Sequence, residues 1–489
     1  MASDVTGTPP PADPGMVRTE LRENAVGLPG MLMQGIATIA PAFAILASFV
    51  FICTFAGIVT PWAYLFGGAL LCVQALSAAQ LAKVFPSAGG WYTWIARTLH
   101  PRAGFFAGTF FSVWLPPVGA LTLSLLGHDV LEPTIKEYYD VTIPWVIWPI
   151  LGVALVTWWA YAGIALSEKL LIITGTVEIS LMVLLAIFGL ANPGPGGFSF
   201  APLNPGNFGD ASVTNLFLGV VFSIFAFSGW ESTGPLAEES KNPKRNVPIG
   251  LVGSVVILMI YFVFVTWGYL VGFGVDNVSK INFDIPFPVA TLAHRVWGPL
   301  WWLLLFALLN SAIAVSIACF NGGTRTWYAM GRSGVLPKGL GKVAPTRKTP
   351  DNAIALEIGV NILALACVLI FGVDNTFFSW ANMITLALIV MYFLANIGVI
   401  KYYLTEGRAQ FNPILHIVVP VVASVAGAVV VWKSYFSPFQ HTGPVFWGLM
   451  SFIVLVLVTI VILVVLKARG NEEWLAKAQL VFESSAGGH

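Results

Sequence analysis

Of the 489 residues, 57% are hydrophobic and only 10% are charged, and the formal net charge at pH 7 is +1. A soluble domain carries about 25% charged residues, so this is the composition of an integral membrane protein. The near-neutral balance gives no electrostatic reason to expect nucleic acid as a partner.

The chain opens with MASDVTGTPPPADPGMVRTE, polar and proline-rich, which predicts a disordered tail over 1–25 rather than a signal peptide. A helical crossing needs about 20 mostly apolar residues. Such runs follow at 28–56, 61–84, 104–127, 144–165, 169–191, 214–237, 248–273, 297–329, 352–371, 377–403, 413–436 and 443–467, and a second tail is expected over 468–489. Cys53, Cys72, Cys319 and Cys367 stand inside these runs without a CxxC spacing and read as small core hydrophobes. Lys and Arg favour cytoplasmic loops. With both termini inside, the cytoplasmic segments collect 20 of the 24 Lys and Arg, and only Lys136, Lys280, Arg295 and Lys433 remain outside. The asymmetry predicts a multi-pass protein of the cell membrane, lying in the lipid bilayer with cytoplasmic termini. One longer outer loop, DNVSKINFDIPFPVATLAHRVWG, ends in a stretch expected to form a short helix over the outer mouth.

Two runs are interrupted. The first reads LPGMLMQGIATIAPAFAILASFVF, and Pro41 cannot donate to the carbonyl of Ala37, so this helix should open near Thr38–Pro41. The sixth breaks at Ser228-Gly229 and continues with Glu231, Ser232, Thr233, Gly234 and Pro235. An opened helix exposes unpaired N–H and C=O groups, which membrane proteins tolerate beside a cavity or a ligand. Paired interruptions at corresponding positions of two halves point to a transporter's binding site. The alternative is that both are plain bends, since Pro and Gly are common in membrane helices.

Three motifs resemble the amino acid/polyamine/organocation transporters, which have the leucine-transporter-like fold. FPSAGGWYTWIARTLHPRAGFFAG carries Pro86, Gly89, Gly90 and Tyr92 of the family's signature after the second span. FAFSGWESTGPLAEESKNPKRNVPIG carries the sixth-span pattern, with Gly229-Trp230, Glu238-Glu239, Asn242-Pro243 and Pro248. YAMGRSGVLPKGLGKVAPTRKTPDNAI resembles the loop after the eighth span, with Gly334, Leu336-Pro337 and Pro350. The resemblance implies an all-α transporter domain over 26–467 with about 12 transmembrane helices. Two inverted five-span repeats, about 28–191 and 214–403, would carry broken helices 1 and 6, with two additional helices at about 413–467. It further implies alternating access around a substrate site built from Thr38, Ile39, Ala40, Pro41 and Ala42 of span 1 and Phe227, Ser228, Gly229, Trp230 and Glu231 of span 6. Many relatives hold a substrate carboxylate on bare amides of a Gly-Ser-Gly type sequence in span 1; here the sequence is Ala-Thr-Ile-Ala-Pro-Ala.

Acidic residues inside the runs are the remaining signals, because charge at that depth is expensive and usually functional. Glu178 lies nine residues after Lys169, roughly 13.5 Å into the bilayer. Some relatives place a Lys there; a carboxyl in its place is expected to take up and release protons, or else to remain protonated and hydrogen-bonded to span 1 or span 8. Ser311 and Ser316 of span 8 are candidate partners. Glu231 is expected to hold a substrate amino group, to bridge the break to neighbouring helices, or to cap freed N–H groups. Trp230 sits where a ring could stack on substrate. Glu238 and Glu239 read as an inner ion-pair gate or as helix caps, and Glu357 as a residue reaching the interface.

No HExxH, GxSxG or Walker pattern suggests catalysis or ATP use, so no enzyme activity, cofactor or metal is expected. A TVGYG-type filter, the mark of a channel, is also missing from the sequence. The leading expectation is a secondary amino-acid transporter driven by protons or by exchange. A carrier of polyamines or other cationic amines, and a nutrient sensor that binds without transporting, are the alternatives.

Overall fold

Helix is the state in which a chain crossing lipid satisfies its own amides, and every long apolar run adopts it. The computed structural model of the chain describes residues 21–209, 213–281, 288–436 and 441–468. The expected tails therefore fall outside the described residues, apart from 21–25 and Ala468. Within the described residues there is no strand, only an isolated parallel bridge between Val26 and Ser240.

Span 1 comprises α1 (Leu28–Ile39) and α2 (Pro41–Ala56), and span 2 is α3 (Thr60–Val84). A short helix, α4 (Trp91–Thr98), leads into span 3, which is α5 (Pro101–Trp114) plus α6 (Pro117–Leu126). The sequence suggested one uninterrupted run there; Pro116 and Pro117 supply no N–H to the preceding turn, so the helix is broken between them and Trp114. A surface helix, α7 (Glu132–Tyr139), precedes spans 4 and 5, α8 (Ile147–Ala162) and α9 (Ile164–Ala191). Span 6 is α10 (Val213–Ala226) continued by a 3-10 helix, Trp230–Glu239. Span 7, α11 (Pro243–Phe273), starts a turn and a half before the expected 248, because Pro243 at the first helical position needs no N–H partner.

The short outer-loop helix exists as α12 (Pro288–Trp297). Spans 8 to 10 are α13 (Trp302–Arg332), α14 (Asp351–Phe371) and α15 (Val373–Leu404), and α16 (Val419–Val431) and α17 (Gly443–Ala468) complete the bundle. Among the described residues, ten apolar helical stretches are long enough to cross a membrane. The first, Leu28–Val84, is 57 residues long and holds two crossings, and the shorter α8 is also apolar, which makes about twelve.

The two halves interlock. Tyr64 of α3 stacks on Phe262 of α11, with ring centroids 5.0 Å apart. On α9 and α11, Gly189 and Gly268 let the backbones touch: a Cβ at Gly189 would fall 2.6 Å from the carbonyl oxygen of Gly268. Small residues at such crossings are how membrane helices gain packing without a hydrophobic driving force. The helices α16 and α17 lie outermost and leave Val425, Val454, Val461 and Val464 exposed, so they are not part of the centre.

Candidate functional site

Span 1 opens at a single residue. Ala40 is held in the left-handed region, φ 55° and ψ 69°, an uncommon conformation for a residue with a Cβ. Its N–H closes back on the carbonyls of Ile36 and Ala37, and Pro41 then begins α2 with no N–H to place. The next two amides do not return to α1. The N–H of Ala42 donates to Glu178 Oε1 at 2.8 Å, and that of Phe43 to Ser311 Oγ at 3.3 Å. The carbonyls of Thr38 and Ile39, which those amides would serve in an unbroken helix, receive no hydrogen bond among the described residues.

Span 6 opens over three residues. The N–H groups of Phe227 and Ser228 tighten into 3-10 bonds to Ile224 and Phe225, and Gly229 follows with φ 130°, which favours glycine. The Gly229 N–H donates to Glu231 Oε2 at 2.7 Å. The two breaks touch: a Cβ at Gly229 would lie 2.7 Å from the backbone carbonyl of Thr38. Thr38 donates its hydroxyl to the Gln34 carbonyl at 2.7 Å, and Ser232 Oγ stands 2.5 Å from Thr38 Oγ1.

A cavity opens beside this junction. Span 1 contributes Thr38, Ile39, Ala40, Phe43, Ala44 and Ala47, span 6 contributes Phe225, Ala226 and Ser228, and the rest comes from the α5–α6 segment, Val315 of α13 and α15. Among the described residues no lining residue is charged, and of their side chains only those of Thr38, Thr122, Ser228 and Trp380 are polar; the Trp380 indole already donates to the Trp114 carbonyl at 3.0 Å. Thus four of the ten sequence-derived site residues, Thr38, Ile39, Ala40 and Ser228, lie on the cavity wall. Pro41, Ala42, Phe227, Gly229, Trp230 and Glu231 stand behind it. Phe227 packs on Phe262 at 4.9 Å. The Trp230 ring is stacked on Tyr392 at 5.6 Å and edge-on to Trp91 at 5.8 Å.

Glu178 is fully buried, and Ser311 donates to the same oxygen, Oε1, at 2.6 Å. Ser316 does not join them; its hydroxyl returns to the Ala312 carbonyl of its own helix at 2.7 Å. Both buried acids thus serve one N-terminal helix end each, as anions do, and each keeps one oxygen, Glu178 Oε2 or Glu231 Oε1, without a hydrogen-bond partner among the described residues.

At the end of the bundle where α1 begins, the chain is tied shut. The Val26 N–H donates to the Glu239 carbonyl at 2.9 Å, and the Lys241 N–H to the Val26 carbonyl at 3.0 Å. Arg325 of α13 grips Glu239 with Nε at 2.8 Å and Nη2 at 3.3 Å, both residues buried. Arg332 holds Glu238, with Nη1 2.7 Å from Oε2, and the Ala88 N–H donates to Glu238 Oε1 at 2.9 Å. Glu357, expected at the interface, is instead buried and accepts from Trp327 Nε1 at 2.8 Å. Sequence alone gave no signal for this depth, because it depends on α14 lying against α13.

A bundle of about twelve apolar helices, with its first and sixth crossings broken side by side beside a cavity, has the architecture of a membrane transporter. The model of the amino acid permease family matches residues 32–469, and the chain belongs to that family. It is 25% identical over 408 residues to the low-affinity putrescine importer PlaP of Escherichia coli (strain K12), covering 81% of this chain and 84% of that one. It is 24% identical to the branched-chain amino acid permease BcaP of Lactococcus lactis subsp. cremoris, over 77% of this chain and 82% of BcaP. The glutamate/serine transporter AimA of Bacillus subtilis is also 24% identical, over 76% of this chain and 70% of AimA.

Proposed function

We propose that the chain is a secondary carrier of amino acids or amines, that its substrate sits in the cavity at the two breaks, and that Glu178 couples transport to protons. The observation that carries the reading is the contact of the Thr38 and Gly229 backbones at the edge of a cavity both breaks help to line. Relatives named for putrescine, for branched-chain amino acids and for glutamate or serine support the substrate range. In this reading the protein lies in the cell membrane with both termini cytoplasmic, and the Glu239–Arg325 and Glu238–Arg332 pairs form the cytoplasmic gate.

Glu178 suits coupling because it joins three elements, α2, α9 and α13, through one carboxyl oxygen. Ionised, it complements the positive end of α2; protonated, it is a weaker acceptor there, so the three elements pack differently in the two states. A ligand that binds the two arrangements unequally then moves the equilibrium between them. The test is uptake into proteoliposomes with an imposed pH gradient. Wild type should accelerate with the gradient, and Glu178→Gln should bind substrate yet ignore it. Wild-type uptake indifferent to the gradient, or a mutant that follows it equally, would reduce Glu178 to a helix cap.

A further inference from the structure

The two breaks produce four helix ends at the centre of the bundle, and the protein treats them in two ways. The two N-terminal ends, α2 and the 3-10 helix, are each occupied by a carboxyl of the chain itself, Glu178 on the Ala42 amide and Glu231 on the Gly229 amide. The Phe43 amide is taken by Ser311. The C-terminal end of α1 is left open: the carbonyls of Thr38 and Ile39 have no donor among the described residues. Both of those residues line the cavity, whereas Ala42, Gly229, Glu178 and Glu231 do not. A helix C-terminus carries about −0.5 of an elementary charge, so the face the cavity offers is electron-rich.

Each consequence follows from the chemistry of a candidate ligand. An ammonium group supplies N–H donors to free carbonyls at the negative end of the half-helix α1, where cations are stabilised. A carboxylate meets no free amide and no cationic side chain there, because the lining includes no Lys, Arg or His among the described residues. Burying it unpaired costs several kcal/mol. A second ammonium, at the far end of a diamine, would meet Phe377, Ile384, Val118 and Leu121, with no acid among them. The remainder of the ligand must therefore be apolar.

We infer that the cavity selects primary monoamines with an aliphatic body, and discriminates against both the corresponding α-amino acids and diamines, because Glu178 and Glu231 occupy the amides that would hold a carboxylate. This selectivity rests on the carrier reading and sharpens it.

The experiment uses the purified full-length protein and three probes: 3-methylbutylamine, leucine (the same skeleton with a carboxylate) and 1,4-diaminobutane. Affinity is read by thermal shift, and transport by uptake into proteoliposomes. The amine should bind at least about tenfold more tightly than either competitor, a difference well below the cost of an unpaired buried charge. Leucine or 1,4-diaminobutane binding as tightly as 3-methylbutylamine, or no binding of any probe, overturns the selectivity. Leucine uptake without amine preference leaves the carrier reading standing while this inference fails. Amine binding without uptake does the reverse. Two variants test the cause, each removing the charge but keeping an acceptor oxygen. Glu231→Gln and, separately, Glu178→Gln should lower the amine-to-leucine affinity ratio several-fold; a ratio unchanged in both overturns the assignment to the capped helix ends.

Discussion

The two breaks solve one problem with different parts. Each leaves an N-terminal helix end at the centre of the bundle and answers it with a carboxyl. At span 6 the cap is local, since Glu231 lies two residues beyond the Gly229 amide it accepts from. At span 1 the cap is remote: Glu178 belongs to α9 and is 136 residues from Ala42. A local cap survives any movement of neighbouring helices, because cap and amide travel together. A remote cap breaks when α9 and α2 separate. The span 1 break can therefore report on the packing of the bundle, and the span 6 break cannot.

The largest effect should come from forcing the breaks apart. Gly229→Leu places a Cβ 2.7 Å from the Thr38 carbonyl at a backbone φ of 130°, and should abolish ligand-induced thermal stabilisation. Retained affinity would separate the site from the span 6 break.

Next is the tie at the closed end. Arg325→Met leaves Glu239 buried without its partner, at a cost of about 3–5 kcal/mol. A strongly lowered melting temperature is expected, with much of the loss regained when Glu239→Leu is added. No recovery in the double variant would mean that Arg325 stabilises through packing alone.

Smaller again, and the sharpest test of the comparison itself, are Glu231→Ala and Glu178→Ala. Each strands one buried N–H, worth about 1–3 kcal/mol, so their melting temperatures should fall by similar amounts. Their transport should not match, since only the remote cap joins separate helices: Glu178→Ala should lose the response to a pH gradient, and Glu231→Ala should keep it. Asp351→Asn, which removes the exposed i,i+4 pair with Arg347, should change stability by less than about 0.5 kcal/mol. A larger shift would mark the α13–α14 loop as a structural element.

What the sequence showed of this site was its backbone chemistry. Pro41 has no amide in any fold, and the turn after Ser228 needs a residue as permissive as Gly229, so both breaks were legible before any packing was known. The apolar wall was not. Phe377 and Ile384 face the cavity while Phe371 and Ile397 are exposed on the outer surface of the bundle, yet nothing in residue type separates them, because lipid and an apolar cavity select alike. Trp230 is a related case: its position on the break suggested contact with substrate, and its ring stacks on Tyr392 of span 10 and meets Trp91 of α4 edge-on. The Pro116-Pro117 pair was visible, and its effect on span 3 follows from the same missing amides that open span 1.

Ser228 offers the most direct measurement on the central claim, because it is on the cavity wall, at the break, and bonded only weakly to the Ile224 carbonyl at 3.5 Å. Ser228→Cys, reconstituted beside the parent chain, is treated with a small methanethiosulfonate reagent in the presence and absence of transported substrate. If the breaks build the substrate site, modification stops uptake in the variant alone and substrate slows the reaction. Complete modification of the introduced thiol with uptake unchanged would place the site elsewhere and contradict the account.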